Sequence, residues 1–542
     1  MKHYLFYFTM FLCVTTSYGQ YYEEQDAFVS LGKPYPVIDA SKKHYFHHNS
    51  EILTVKVNKK KRIFLQKMDA DKLSFIKARE YKDLPLYYQL EGVEEFNNRF
   101  YLFYSDWDGS NKQEMLFARE IDFAEGAFIG KGEKIVNVEG KITGTTISGG
   151  IWNLEVADKF NFQRSFDNSK LLVHYRMKPE KKRDAVNHDV IGLSVFDQNL
   201  NPLWQKEVEM PYTEKKMDIL DYSIDSDGNT YILAKVYKDD STDDKKRGQD
   251  GANYHIELLR VKANSSDFVS TMIALENKFI SDLALFETPD NYMTCAGFYN
   301  KGNKVGNASG ILMFKVGSEG SIYDIKEYEI PLEILNLYTN RKEKRKNVKE
   351  EAKGKAEFEH LNMTELLIHE NGSILLIGEQ RYKIIHRYAS QNGGTNIQQT
   401  FHYNDLLVTK ISSEGEFVWM KKLPKSQKGY KGMGGMSYKH IAGKEYHYIV
   451  FLDNVKNIDL PLDAAPAEHI DEQGGFLTAY KVNDKTGETT KTSLLDTRDV
   501  KGTEVFQFMT NRIVPLTREN EFVFEVYKKK KEDILIKVAI VD

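Results

Sequence analysis

The chain has 542 residues, 75 Lys and Arg against 79 Asp and Glu, a net charge of −4, and 12% aromatic residues. There is no basic excess of the kind that neutralises a phosphate backbone, so nucleic acid is not expected as a partner. A length prior of about 150 residues per domain would suggest three or four domains, but internal repeats override it.

In chain order, Lys2 and His3 precede an apolar run over 4–14 and the small-residue stretch 15–19. This pattern predicts a secretory signal peptide over residues 1–19, with Gln20 as the first mature residue. The run is shorter than the roughly 20 apolar residues that span a bilayer, and no later stretch reaches that length. The expectation is an exported protein, periplasmic or extracellular, without a transmembrane segment. Loss of the signal leaves Cys295 alone, so no intramolecular disulfide is available and the core must hold the fold.

Residues 20–542 read as a single all-β domain. An apolar strand, a tight polar turn and an alternating strand rich in aromatic and β-branched residues recur along it. Eight such turns lie near Asn49-Ser50, Asn97-Asn98, Asp167-Asn168, Asp227-Gly228, Asp290-Asn291, Asn371-Gly372, Gly443-Lys444 and Glu519-Asn520. A second hairpin turn follows each of the first seven, near residues 69–71, 124–126, 197–201, 264–266, 317–320, 412–415 and 484–487. Trp204 and Trp419 hold the same place in their repeats. Four strands per unit predict a β-propeller of eight blades, or seven if 35–48 does not supply a first strand.

The eighth unit stops after three strands. The strand-like segment 26–31 can supply the missing outer strand and close the ring, which removes open sheet edges. The clearest turn is Asp225-Ser-Asp227-Gly228-Asn229-Thr-Tyr231. On Asp225, Gly228, Asn229 and Tyr231 the chain resembles bacterial propeller repeat proteins, whose blades often read Asp-x-x-Gly-Asn-x-Tyr. The resemblance implies the fold and names no ligand.

In propellers the A–B and C–D turns share one face, and the B–C and D–A connections the other. Here the first set is short and the second long, over 105–114, 177–189, 238–253, 300–309, 380–404, 453–475, 141–158, 335–359 and 424–435. The long-loop face is therefore the expected binding surface for a protein, peptide or glycan. Its candidate ligand-binding residues are Trp107, Asp108, Trp152, Tyr388, Phe401, Tyr403 and Tyr430, aromatic rings with an adjacent carboxylate that suit sugars or peptides. The charged stretch 340–357 reads as an exposed helix or a disordered insert.

No nucleophile elbow, phosphate loop, zinc-protease helix or Cys pair is present, so no catalytic residue is assigned and no cofactor is expected. His47 and His48 point to opposite faces of a strand. His440 and His447 become neighbours across a hairpin, but no third ligand accompanies them, so no metal is expected. The reading is a non-catalytic exported scaffold. Two alternatives stay open: a propeller-fold carbohydrate hydrolase or lyase using carboxylates near the central channel, and a cell-envelope assembly component docked through 335–359. Oligomeric state is not legible.

Overall fold

The computed structural model describes residues 27–147, 155–179, 186–248, 251–263, 265, 268–273, 278–290, 292–301, 306–317, 320–389, 395–528 and 530–541. The expected signal peptide, 1–19, lies outside them.

Alternating apolar residues bounded by turns with positive φ produce antiparallel four-stranded sheets. They follow one another over residues 42–81, 89–139, 161–213, 217–273, 279–329, 361–429, 439–496 and 513–540, numbered here as blades 1 to 8. Asn49 and Ser50 (φ 47° and 61°) and Asn97 and Asn98 (φ 50° and 57°) supply the two consecutive positive φ values of a tight hairpin turn. Blade 8 has only Ile513–Pro515, Glu521–Lys528 and Glu532–Ile540 from its own end of the chain. Its outer strand is Ala27–Leu31, antiparallel to Glu532–Ile540 with Ala27 opposite Ile540 and Leu31 opposite Ile536. This is an eight-bladed β-propeller. The first blade begins with Lys42–His48, so the seven-blade alternative falls away.

Apolar side chains collect between neighbouring blades rather than in one central core. Leu102 and Val55 sit between blades 1 and 2, Leu193 and Ala234 between 3 and 4, and Val450 and Phe524 between 7 and 8. Such layers are what faces packed about 10 Å apart require. The seam between blades 8 and 1 has a small apolar set, including Ile52, Met68, Val523 and Leu535.

The one complete Asp-x-x-Gly-Asn-x-Tyr copy has a structural explanation. The Asp225 carboxylate accepts from Asn229 N (2.8 Å), Asn229 Nδ2 (2.9 Å) and the buried Tyr231 hydroxyl (2.9 Å). Gly228 takes φ 81°, a conformation that favours glycine.

Strand A carries a bulge at a matching place in blades 2, 4, 5 and 6. In three of these an acid at the bulge accepts a backbone N–H from the next blade or from the segment leading into it. Glu91 accepts from Lys159 N (2.7 Å), Asp221 from Leu285 N (2.8 Å) and Asp282 from Met363 N (2.9 Å). Burial pushes all three carboxyls up, Asp221 to about 6. These inner-strand acids clasp blade to blade.

Several expected long loops are ordered elements instead. In 105–114, strand Arg99–Asp108 pairs to its end with Gln113–Asp122, leaving a four-residue turn. In 380–404 the blade 6 strands B and C run on as Ile374–Ala389 and Thr395–Ile411, a hairpin projecting beyond the sheet. Continuous pairing satisfies the backbone where a loop would leave it to solvent. The charged insert is helical, with α1 at Leu332–Asn336 and α2 at Arg341–Glu351. No residue of α2 is buried, and the Asn340 side chain caps it by accepting from Glu343 N at 3.0 Å.

Candidate functional site

On the long-loop face, three connections converge on blade 6. The D–A insert brings α1 and α2, the projecting hairpin brings Gln380, Tyr382, Asn404 and Asp405, and the blade 7 B–C connection brings Ala465 and Pro466. Between them lies a cavity of about 430 Å³. Its walls also include Asn340, Glu343 and Asn347 from the insert and Lys422 and Lys425 at its base. This size falls within the range of small-ligand sites.

The base is fixed by buried ions. Lys422 Nζ donates to Leu337 O (2.8 Å) and Thr339 Oγ1 (3.1 Å) and pairs with Asp405 Oδ2 (3.2 Å), tying the insert to strand D of blade 6. Lys425, fully buried, lies 2.7 Å from Glu379 Oε1 and donates to Tyr403 O (2.7 Å) and Gln427 Oε1 (3.0 Å). Burial lowers the Lys425 ammonium pKa, while the Glu379 carboxylate opposes that shift. Glu379 also accepts from Ser437 Oγ, in the segment leading into blade 7, at 2.8 Å. A buried pair with its remaining atoms hydrogen-bonded is rigid, because removing either partner leaves an unpaired charge.

The aromatic wall is Tyr382. Its ring stacks on His402 across the hairpin, with centroids 4.6 Å apart and planes at 6°, and lies 5.0 Å from His360. Asn404 Nδ2 donates to the Tyr382 hydroxyl at 3.2 Å.

The residues expected to bind fall unevenly around this cavity. Phe401 and Tyr403 belong to the same hairpin, and in its register they oppose Lys383 and Arg381, while His402 opposes Tyr382. Successive residues of a strand point to opposite faces, so Tyr382 and His402 share one face and Phe401 and Tyr403 the other. The Arg381 guanidinium lies 5.4 Å from the Tyr403 ring centroid. Tyr430 is half exposed and follows Gly429, which pairs with Phe401. Tyr388 lies near the hairpin tip, in strand Ile374–Ala389. Trp107 and Asp108 end a strand of blade 2, four blades away around the ring, so they do not join the others. Lys141 Nζ lies 5.4 Å from the Trp107 ring, and Asp108 accepts from Ser110 N (2.9 Å) and Asn111 Nδ2 (2.7 Å) in its turn. The hydrogen bond from Asn111 holds the Asp108 carboxyl below its usual range. Trp152 lies outside the described residues.

Tyr382, Gln380 and Asn404 were missed because 380–404 reads as a loop. Treating it as two strands, with alternation carried through, would have found Tyr382.

No family model matches the chain, and no curated protein matches it. Among solved structures, one from a study of two prolyl endopeptidases aligns at 11% identity and a TM-score of 0.35, covering 94% of this chain and 55% of that one. An uncharacterized protein of Listeria monocytogenes EGD-e aligns at 9% identity and a TM-score of 0.36, covering 82% and 93%. The Pyrococcus horikoshii acylaminoacyl peptidase aligns at 9% identity and a TM-score of 0.32, covering 92% and 57%. The chain thus spans about half the length of these peptidase chains, and likeness at this level assigns it no activity. No helix among the described residues is long and apolar enough to cross a membrane.

Proposed function

We propose that this is an exported propeller that binds a glycan segment, without turning it over, in the cavity on its long-loop face. The observation that carries this reading is the convergence of three long connections on one cavity of about 430 Å³. Amides of Asn340, Asn347, Gln380 and Asn404, the carboxylate of Glu343 and the Tyr382 ring line it, a mixture that suits the hydroxyl groups and apolar faces of sugars. A folded protein partner is too large to enter, and the anchored base supports a preformed site.

The test is a thermal-shift screen of the chain from Gln20 against pooled glycans and peptides, since a ligand of the folded state raises the melting temperature. Binding by a glycan pool, weakened about ten-fold by Tyr382→Ala and by Asn347→Ala but not by Trp107→Ala, is the expected result. A response confined to peptides would replace the ligand class. Loss of binding in Trp107→Ala alone would move the site to blade 2. Product formation from the bound glycan would replace a binder with a hydrolase or lyase.

A further inference from the structure

The inner-strand acid of blade 6 departs from the blade-to-blade pattern. Glu365 follows the strand A bulge, as Asp221 and Asp282 do in their blades, but its Oε1 meets His440 Nδ1 of blade 7 at 2.7 Å. His440 Nε2 lies 3.0 Å from His447 Nδ1. The two histidines are diagonal neighbours rather than directly opposed, because His440 pairs with Ile449 and His447 with Ala442.

The chain of contacts ends at a third and a fourth group that the sequence pattern did not connect to the pair. His447 Nε2 lies 2.8 Å from Asp484 Oδ1, in the C–D turn of blade 7. His369, from the A–B turn of blade 6, brings its Nε2 to 3.6 Å from the same oxygen. That His369 nitrogen is buried and has no hydrogen-bond partner. The three ligand atoms lie within 4.8 Å of one another. A tetrahedral zinc ion with bonds of about 2.0–2.1 Å holds its ligand atoms about 3.3 Å apart, a value the 2.8 and 3.6 Å separations bracket.

We propose that His369 Nε2, His447 Nε2 and Asp484 Oδ1 bind one divalent cation of the zinc class on the short-turn face, across the seam between blades 6 and 7. The opposite nitrogen of His447 is held by His440 and, through it, by Glu365, the outer arrangement that orients a metal-bound imidazole. The side chains of His369 and Asp484 are 18% and 15% exposed, so the cluster lies near the surface and an ion has a way in. The competitor is Lys410, whose ammonium lies 2.5 Å from Asp484 Oδ1. Binding moves this ammonium off that oxygen.

The experiment uses the chain from Gln20, stripped with a chelator and titrated with zinc by calorimetry, with cobalt substituted for its visible spectrum. The expected result is one zinc per chain, with His369→Ala and Asp484→Asn each weakening binding by at least about ten-fold. Lys410→Met should tighten it by about ten-fold, because a competing cation is gone. His369 is a turn residue, so the melting temperature of His369→Ala without metal should stay near that of the parent. The cobalt spectrum should be lost with that variant. No binding at about 100 µM zinc would overturn the site. So would binding that His369→Ala leaves unchanged. Binding seen only in Lys410→Met would also overturn it, since the native cluster would then be a lysine-filled ion pair.

Discussion

Lys56 Nζ lies 2.5 Å from Glu525 Oε1, with both side chains fully buried and 469 residues apart in sequence. The pair joins strand B of blade 1 to strand B of blade 8, across the seam that closes the ring. Tyr35 and Tyr45 donate to the same carboxylate at 2.9 and 2.7 Å, and Lys43 lies 3.1 Å away. Burial pushes the Glu525 carboxyl up, but Lys56 and Lys43 outweigh it and hold the group well below its usual range. Glu525→Leu should therefore lower stability by about 3–5 kcal/mol, because Lys56 is left buried without its main partner. Lys56→Met combined with Glu525→Leu should recover much of that loss. Chemical denaturation of the two single variants and the double variant measures the coupling, and additive losses would show that the pair does not act as a unit.

The N-terminal strand is the second element of closure. Without Ala27–Leu31 the strand Glu532–Ile540 becomes an open edge, which invites pairing with another chain. A chain starting at Gly32 should melt lower than one starting at Gln20 and should aggregate on concentration. Light scattering and thermal melting compare the two, and equal behaviour would mean that the ring closes without this strand.

Trp419 is 6% exposed, and its indole N–H donates to Asp484 O at 2.9 Å, across the seam between blades 6 and 7. Trp204, at the matching place in blade 3, donates to Gly228 O of blade 4 at 3.0 Å. Trp419→Phe should cost about 1 kcal/mol or a little more, for the lost hydrogen bond and some volume, whereas Trp419→Ala should cost about 3–5 kcal/mol. Equal losses in the two variants, read from denaturation midpoints, would assign the whole effect to the hydrogen bond.

Asp221 gives a pH dependence with a definite sign. Burial raises its folded pKa to about 6, above the unfolded value of about 3.9, so the folded chain holds this proton more tightly. The resulting stabilisation is full below pH 3.9 and is lost as pH rises through 6, a swing of about 3 kcal/mol. Asp221→Asn cannot titrate. The melting temperature of the parent relative to this variant should fall between pH 4 and 6 and level off above that. A difference that stays flat with pH would contradict the burial argument.

Hairpin turns, strand alternation and the incomplete eighth unit were legible in the sequence because they depend on local chemistry. Turn residues that accept positive φ mark where a strand reverses, and apolar residues at every second position mark its buried face. All eight A–B turns and the closing role of the N-terminal strand follow from these rules. The charged stretch 340–357 reads equally as an exposed helix or a disordered insert, and the structure decides for the helix Arg341–Glu351, which buries no residue. Where strands outrun their apolar pattern, as in 380–404, local rules read a loop, since cross-strand pairing rather than hydrophobicity sustains the hairpin there. That error placed Phe401 and Tyr403 in a binding loop and left out Tyr382, which alternation turns toward the cavity. Contacts between blades were beyond any local reading. His369, His447 and Asp484 meet because blade packing sets the A–B turn of blade 6 beside a strand and the C–D turn of blade 7, and Lys56 meets Glu525 only because the chain ends in the blade where it began. Sequence determined the strands and their reversals, and the packing of blade on blade decided which distant side chains share a site.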